Sequence, residues 1–152
     1  MLLGLTSQSY NSDNLARAAM EGVTLGMNYG LRRLAELGVN PTQIRATGGG
    51  AKSKVWRQIM SDVFNAEVVT LKVGEGAAYG AALQALWCWR LQKGEKIGIS
   101  DITDEFVKLN KNETAEPETK NVAVYRELQA LQDELSSSLR GVFAKHRKFV
   151  LR

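Results

Sequence analysis

The sequence predicts an α/β fold with a few parallel strands, flanking helices and a long C-terminal helix. Two short strand-like segments alternate with three segments whose apolar residues recur at helical spacing. Because a helix between two strands acts as a crossover connection, such strands lie parallel in one sheet. A further long amphipathic pattern near the end of the chain predicts the terminal helix.

The composition is that of an ordinary globular chain that fits one compact domain. Its 152 residues are 44% hydrophobic and 24% charged, and no apolar run approaches the length of a membrane helix. The N-terminal residues lack the basic segment that opens a signal peptide. One cysteine, Cys88, excludes an intrachain disulfide and a multi-cysteine zinc site, and one histidine, His146, excludes a His-rich metal site. We therefore expect a cytoplasmic protein without a membrane partner.

The net charge of +4 resides at the end of the chain. The rest of the sequence is nearly neutral, which indicates a solubilising tail rather than a broad nucleic-acid-binding face. We therefore expect no nucleic-acid partner. Residues 140–152 contain no acidic side chain and five basic ones: Arg140, Lys145, Arg147, Lys148 and Arg152.

The first predicted helix begins after Ser12 or Asp13, either of which can cap it with a side-chain oxygen. Gly38 is placed where a glycine commonly ends a helix. Between these points, side chains at steps of three and four predict one apolar face: Ala16, Met20, Val23, Met27, Leu31 and Leu34.

Two strand–glycine–helix segments follow. Gln43–Thr47 predicts the first strand and runs directly into Gly48–Gly50, after which Ser53 can cap the second helix. Glu67–Leu71 is rich in β-branched residues and predicts the second strand. Gly74–Gly76 then opens the third helix.

The sequence divides into an α/β part over residues 1–92, a charged linker over residues 93–120 and a terminal helix over residues 121–148. The linker contains the run KNETAEPETK, in which proline and polar residues disfavour regular structure. We expect the terminal helix to pack on the domain, although its nearly heptad spacing also allows pairing with another chain. Its apolar residues are Val124, Leu128, Leu131, Leu135, Leu139 and Val142.

The segment ATGGGAKS at residues 46–53 is the most informative part of the sequence. A phosphate-binding P-loop needs Gly directly before the Lys–Ser pair, where this chain has Ala51, and a dinucleotide fingerprint would need Gly in place of Ser53 or Tyr79. What remains is bare glycine backbone between a strand and a helix, at the edge where α/β folds bind ligands. A glycine turn that only packs the strand against the helix fits this spacing slightly better.

Two glycine segments in order carry a resemblance to a known family. The runs TGGGAKSKVWRQIMSDVFNAEVV (47–69) and GEGAAYGAALQAL (74–86) resemble the C-terminal lobe of sugar kinases of the FGGY family. Residues 4–38 resemble the helix that precedes the family's nucleotide loop. AVYRELQALQDEL (123–135) resembles the terminal helix of its D-xylulose-phosphorylating members, so the resemblance covers most of the chain.

This resemblance implies part of an actin-like (ribonuclease-H-like) ATPase lobe that binds ATP with Mg²⁺. Carried over by position, the backbone of Gly49–Ala51 would line adenine and ribose, and Lys52 and Ser53 would contribute at the rim. Gly76 and Gly80 would let the third helix pack close to this loop. The implied nucleotide-binding residues are Gly48, Gly49, Gly50, Ala51, Lys52 and Ser53.

The reaction implied is transfer of the γ-phosphoryl group from ATP to a sugar hydroxyl, with D-xylulose as the expected sugar. Glycerol, gluconate and ribulose kinases of the family are alternatives, as are a non-catalytic adenine-nucleotide-binding module and an oligomerisation module. Family members are about three times as long, so we expect a partial C-terminal domain without the sugar site or the catalytic Asp, inactive alone. A lobe without its partner lobe exposes apolar surface, so we also expect a homo-oligomer.

We assign no catalytic residue in this chain. Asp62 is expected to be a solvated residue on the polar side of the second helix, and Glu75 to be favoured by the dipole of the third. Trp56 is expected in the core and Cys88 as a buried structural thiol. His146 is expected to be solvated in the basic tail.

Overall fold

The computed structural model describes residues 2–151. None of the helices in this part of the chain is both long and apolar enough to cross a membrane. In chain order the elements are α1 (Ser12–Glu36), β1 (Gln43–Ala46), α2 (Gly49–Lys52), α3 (Lys54–Phe64), β2 (Glu67–Leu71), α4 (Gly76–Gln92), α5 (Ile99–Phe106), β3 (Leu109–Ala115) and α6 (Thr119–Val150).

These elements divide into two compact units. The sheet unit comprises Pro41–Ser61 and Ala66–Glu116, and therefore contains all three strands together with α2, α4, α5 and most of α3. The helical unit comprises the residues up to Asn40, Asp62–Asn65 and the chain from Pro117 onward, and therefore contains α1 and α6.

The sheet has the order β1-β2-β3. β1 and β2 are parallel, with Gln43 opposite Glu67, as the helix–strand alternation predicts. β3 runs antiparallel to β2 and places Leu109 opposite Leu71, with a shift of register between Val69 and Thr70. The central strand is therefore flanked on both edges, which suits the β-branched composition of its sequence.

The core of the sheet unit forms around β2. Val68 and Val69 on this strand are fully buried, as is Ile102 on α5. Since successive side chains of a strand point to opposite faces, burial of both valines means that both faces of β2 are covered. Further buried apolar side chains come from α3, α4 and β3: Ile59, Met60, Leu83 and Ala115.

Residues 93–120 do not form the predicted linker. They contain α5, whose start is fixed by the Gly98 N–H donating to Asp101 Oδ2 at 2.7 Å, and β3, which pairs with β2. Ser61 Oγ donates to the carbonyls of Ala66 (2.8 Å) and Ala115 (3.0 Å), so the end of β3 is also held from α3. The sheet unit consequently continues beyond residue 92, where sequence composition changes.

In the helical unit, α1 starts and ends close to the predicted positions. The N-cap is Asn11 rather than Ser12 or Asp13: its side-chain oxygen accepts the Asn14 N–H at 2.8 Å. Gly38 ends the helix as predicted, in a left-handed conformation (φ +85°) with its N–H donating to the Ala35 carbonyl.

A row of polar contacts joins α1 and α6. Tyr125 Oη donates to Glu21 Oε1 (2.8 Å) and Asn28 Nδ2 donates to Gln129 Oε1 (3.0 Å). An ion pair between the Arg32 guanidinium and Asp133 (2.7 Å) extends this row. Tyr125 and Gln129 are buried, so these hydrogen bonds are sheltered from water.

The predicted apolar faces of both helices are largely exposed in this chain. On α1, Thr24 and Leu25 are buried instead of the predicted stripe. On α6, every side chain in residues 140–150 is exposed, including the basic ones. Exposed members of the two predicted faces are Val23, Met27, Leu34, Val124, Leu131 and Val142.

Candidate functional site

Two loops follow the parallel strands at their carboxyl ends, and these loops contact each other. The Gly48 N–H donates to the Gly74 carbonyl at 3.4 Å, and Lys52 Nζ lies 3.9 Å from Glu75 Oε1. Ligands of α/β folds bind at this edge of the sheet. The two glycine segments of the sequence therefore form one continuous rim rather than two separate turns.

Two positions of this rim favour glycine, one because of its backbone conformation and the other because of a close contact. Gly48 has φ +84°, a conformation that residues with a side chain rarely adopt. A Cβ atom on Gly76 would lie 2.8 Å from Thr47 Oγ1 and 3.1 Å from Thr47 Cβ, so α4 can start this close to the first loop only without a side chain. Gly80, which the sequence placed in the same role, does not share it, because a Cβ there would meet no atom within 4 Å.

The triple glycine does not form an open loop. Gly49–Lys52 form the single helical turn α2, and Ser53 then returns to an extended conformation before α3 begins. The Ser53 N–H donates to the Gly50 carbonyl at 3.2 Å. Ser53 Oγ accepts the Trp56 N–H at 3.3 Å, which caps α3 as the sequence predicts.

The outer side of this turn is bare backbone, and its inner side is closed by an aromatic ring. Gly48 and Gly49 are exposed, whereas a Cβ on Gly50 would lie 3.1 Å from the ring of Trp56. The Ala51 side chain is buried. A ligand therefore has access to the peptide groups of Gly48 and Gly49, while Trp56 supports the turn from behind.

A charged residue that sequence reasoning missed also contacts the turn. Arg57 is 6% exposed, and its Nη1 donates to the Ala51 carbonyl at 2.6 Å. The sequence contains a signal for this burial, because Arg57 lies next to Trp56 and one helical turn before the apolar Met60. This spacing places Arg57 at the border of the apolar face of α3.

Asp62 is not the solvated residue that the sequence predicts. It is only 2% exposed, and its carboxylate accepts the Glu118 N–H at 2.8 Å and the Asn121 side-chain amide at 2.9 Å. Because the first N–H groups of a helix have no intrahelical partner, Asp62 stabilises the start of α6. Its burial reflects a structural role in the helical unit, outside the rim.

The other residues considered as candidates lie at the surface or in packing positions. Glu75 is exposed, makes no side-chain capping bond to α4 and faces Lys52. Cys88 is exposed, contrary to the prediction of a buried thiol, because it lies on the outer side of α4. His146 is exposed as predicted, and Trp56 is half-buried. In residues 2–151, no group of three or more His, Cys, Asp or Glu side chains could hold a metal ion.

The fold and the rim define an α/β protein with glycine loops at the carboxyl ends of its parallel strands, and comparison with known proteins defines its family. Residues 1–89 match the model of the C-terminal domain of the FGGY family of carbohydrate kinases. The chain therefore belongs to this family. The match contains β1, the whole glycine rim and most of α4.

Relatives within the family are sugar kinases of greater length. The chain is 41% identical over 125 residues to xylulose kinase of Haemophilus influenzae, covering 82% of this chain and 24% of that protein. It is 32% identical over 143 residues to gluconokinase of Bacillus licheniformis, covering 93% of this chain and 26% of that protein. It thus spans about a quarter of the length of these curated relatives.

A solved structure extends the match beyond the glycine rim. The structure of ligand-bound xylulose kinase from Lactobacillus acidophilus superimposes with a TM-score of 0.80 at 28% identity, covering 96% of this chain and 28% of that one. The fold is accordingly part of an actin-like kinase lobe, as the sequence predicts. The matched region includes α5, β3 and α6, so these elements belong to the family fold.

Proposed function

We propose that the chain is the adenine-nucleotide-binding part of a cytoplasmic, ATP-dependent sugar kinase whose sugar substrate is D-xylulose. The observation that carries this proposal is the single rim formed by the two glycine loops at the carboxyl ends of the parallel strands. The identity to a xylulose kinase is 41% over 125 residues, whereas the identities to two gluconokinases are 42% over only 85 residues and 32% over 143 residues. The longer match at high identity supports D-xylulose over gluconate. Glycerol and ribulose are the other substrates to be tested.

The residues of the rim fit adenosine in shape and chemistry. The peptide groups of Gly48 and Gly49 are exposed without side chains, so a flat ring can lie against them. Gly50 and Ala51 continue this backbone surface, and Ser53 closes it at the start of α3. These residues would bind the nucleoside, which is the part of ATP that does not react.

Lys52 would contribute charge at the rim. Its side chain is 72% exposed, and its contact with Glu75 is a long surface ion pair of the kind that contributes little to stability. The ammonium group can therefore turn toward a phosphate at low cost. Phosphoryl transfer depends on positioning and charge neutralisation, to which Mg²⁺ contributes when bound with ATP. We assign Mg²⁺ no protein ligand within residues 2–151.

We propose that this chain by itself binds nucleotide without transferring phosphate. Its buried carboxylate, Asp62, is occupied by the start of α6 and is not free to accept a proton from a sugar hydroxyl. With ATP and each of the four substrates (D-xylulose, gluconate, glycerol and ribulose), the purified chain should form no ADP above the background rate. Sugar-dependent ADP formation would contradict this part of the proposal.

Nucleotide binding can be tested by NMR titration of the chain with ADP. Contacts to the ring without a full phosphate clamp predict a Kd of roughly 1 mM, about −4 kcal/mol. The amides of Gly48–Ser53 should shift, and Lys52→Gln should weaken binding about threefold, by about 0.7 kcal/mol, through lost charge. The matched variant Lys54→Gln, an exposed lysine two residues further on, should bind like the native chain. Rim amides that do not respond to saturating ADP would refute the proposed site.

A second proposal concerns assembly: we propose that the chain associates with a second copy through its exposed apolar helix faces. Val23, Met27 and Leu34 of α1 are about half exposed, and exposed apolar patches mark interaction surfaces. Sedimentation at increasing concentration should show dimers or larger species, and Met27→Lys should reduce them. A monomer at every concentration would exclude this assembly.

A further inference from the structure

We infer that Arg57 is a positioning residue for the nucleotide rim, since its buried guanidinium holds the turn α2 in the conformation that presents Gly48 and Gly49 outward. The part of this inference that concerns nucleotide rests on the proposed function. The part that concerns the turn rests on contacts within the sheet unit alone.

The contact joins the first turn of α3 to the end of α2. Arg57 Nη1 donates to the Ala51 carbonyl at 2.6 Å, and the Arg57 backbone N–H donates to the Ser53 carbonyl at 2.9 Å. A helix of one turn leaves its last carbonyls without intrahelical partners. A hydrogen bond from a guanidinium is charge-assisted and roughly twice as strong as a neutral one. Arg57 thus satisfies a carbonyl that α2 by itself leaves open.

The cost of burying Arg57 indicates that this contact has a purpose. The side chain is 6% exposed, and its Nε has no hydrogen-bond partner within residues 2–151. Burying a cation with an unsatisfied N–H is unfavourable, and an apolar side chain of similar length would fill the same space without that penalty. An apolar side chain could not, however, donate a hydrogen bond to the Ala51 carbonyl.

Apolar packing supports the turn but does not by itself fix its backbone. Trp56 lies against Gly50, and the Ala51 methyl group is buried. These contacts are non-directional, whereas the hydrogen bond from Arg57 fixes the direction of one peptide group. If Arg57 served only the stability of the sheet unit, its removal would weaken α2 and β2 equally.

Amide hydrogen exchange in the full chain separates these two cases. The amides to follow are Ser53 and Gly48, which are hydrogen-bonded within the rim, and Val69 as a reference in the core. Arg57→Met, which keeps the length but removes the donors, should lower protection at Ser53 and Gly48 about tenfold relative to Val69. Arg57→Lys keeps the charge and one donor to the Ala51 carbonyl, so protection of the same two amides should fall only about threefold relative to Val69.

The control is Arg45→Met, the same substitution at an exposed position on β1, which should leave the rim amides unchanged. Equal loss of protection at Ser53, Gly48 and Val69 in Arg57→Met, or no loss at Ser53, overturns the inference. If Arg57→Met does not fold, Arg57→Lys decides: a selective loss at Ser53 supports the inference, and uniform or absent loss overturns it.

Titration with ADP distinguishes this inference from the proposed function. If the native chain binds ADP, Arg57→Met should raise the Kd about tenfold, in parallel with the loss of protection. An unchanged Kd overturns the role in nucleotide positioning. If the rim amides of the native chain do not shift with ADP, the proposed function and the role of Arg57 in nucleotide positioning fail together. The hydrogen-exchange data still decide whether Arg57 fixes the conformation of the turn.

Discussion

The sheet unit and the helical unit bury their surfaces by different chemistry. In the sheet unit, Val68 and Val69 are fully buried, and apolar side chains from α3, α4, α5 and β3 are buried as well. In the helical unit, α1 and α6 meet through Tyr125, Gln129 and their polar partners, and Val23 and Leu131 of the apolar stripes remain exposed.

This difference shows what hydrophobic periodicity does and does not determine. Both regions have apolar residues at regular spacing, and in both the spacing predicts the correct type of element. Periodicity states that one face is apolar, but the covering surface has to come from elsewhere. In the sheet unit the apolar side chains of β2 are buried, whereas many apolar side chains of α1 and α6 are exposed and remain available for contacts with other protein surface.

One substitution made in both regions gives the largest expected contrast. Val69→Asp places an unpaired carboxylate at a position that is 1% exposed, and should cost several kcal/mol and abolish cooperative unfolding of the sheet unit. Val23→Asp, at a position that is 53% exposed, should cost less than about 1 kcal/mol. Denaturant unfolding at low protein concentration, followed by circular dichroism, measures both. Similar losses would mean that the α1 face is not free.

Sequence reasoning was most accurate where local chemistry and tertiary packing agree. β2 begins and ends at the predicted residues because its β-branched run suits a strand covered on both faces. Ser53 and Gly38 delimit helices as predicted because capping depends on nearby backbone groups. Contact between the two glycine loops was expected at Gly76 through the family resemblance, and spacing alone would not have given it.

Features that depend on distant partners could not be predicted. β3 is formed by LNKNETA, a polar segment with little strand propensity, which becomes a strand because it covers the free edge of β2. The polar face of α3 predicts a solvated Asp62, because its partners, Glu118 and Asn121, follow more than fifty residues later in the sequence. The role of Arg57 cannot be predicted from the sequence, because its acceptor, the Ala51 carbonyl, is brought within reach only when Gly49–Lys52 form α2.

Removal of the buried carboxylate tests whether polar contacts stabilise the helical unit. Asp62→Ala leaves the Glu118 N–H and the Asn121 amide without their acceptor, and should cost about 2 kcal/mol. Asp104→Ala, at an exposed position of α5, should cost less than about 0.5 kcal/mol. Chemical denaturation followed by far-ultraviolet circular dichroism provides the comparison. Equal costs would show that the start of α6 does not depend on Asp62.

Gly76 and Gly80 lie in the same helix but differ in the space around them: Gly76 is in close contact with the first loop, and Gly80 faces open space. Gly76→Ala would place its Cβ 2.8 Å from Thr47 Oγ1 and 3.1 Å from Thr47 Cβ. Rotation of Thr47 can move the hydroxyl, but its Cβ must shift as well, and with it the first loop. We expect a loss of about 1–3 kcal/mol and weaker ADP binding, because the two loops must separate. Gly80→Ala meets no atom within 4 Å and should stabilise the helix by up to about 1 kcal/mol. Thermal unfolding of both variants measures the difference, and a stable Gly76→Ala would show that the loops are not in close contact.

The smallest expected effect lies in the polar contact between α1 and α6. Burial, together with the hydrogen bond to Glu21, raises the pKa of Tyr125 to about 12, although the Arg17 guanidinium acts in the opposite direction. The neutral phenol is therefore favoured in the folded state, and its stabilising contribution is complete below about pH 10, the ordinary tyrosine pKa, and is lost as the pH rises toward 12. Tyr125→Phe should cost about 1 kcal/mol at neutral pH, and its difference from the native chain should shrink above about pH 10.

Unfolding free energies of the two chains, measured side by side across this range, test the assignment because lysine titration affects both equally. Tyr10→Phe, the same change on an exposed ring, controls for loss of a hydroxyl group and should cost less than about 0.5 kcal/mol at neutral pH. If the difference in unfolding free energy between the native and Tyr125→Phe chains stays constant above pH 10, the contact with Glu21 does not raise the pKa of Tyr125 on folding.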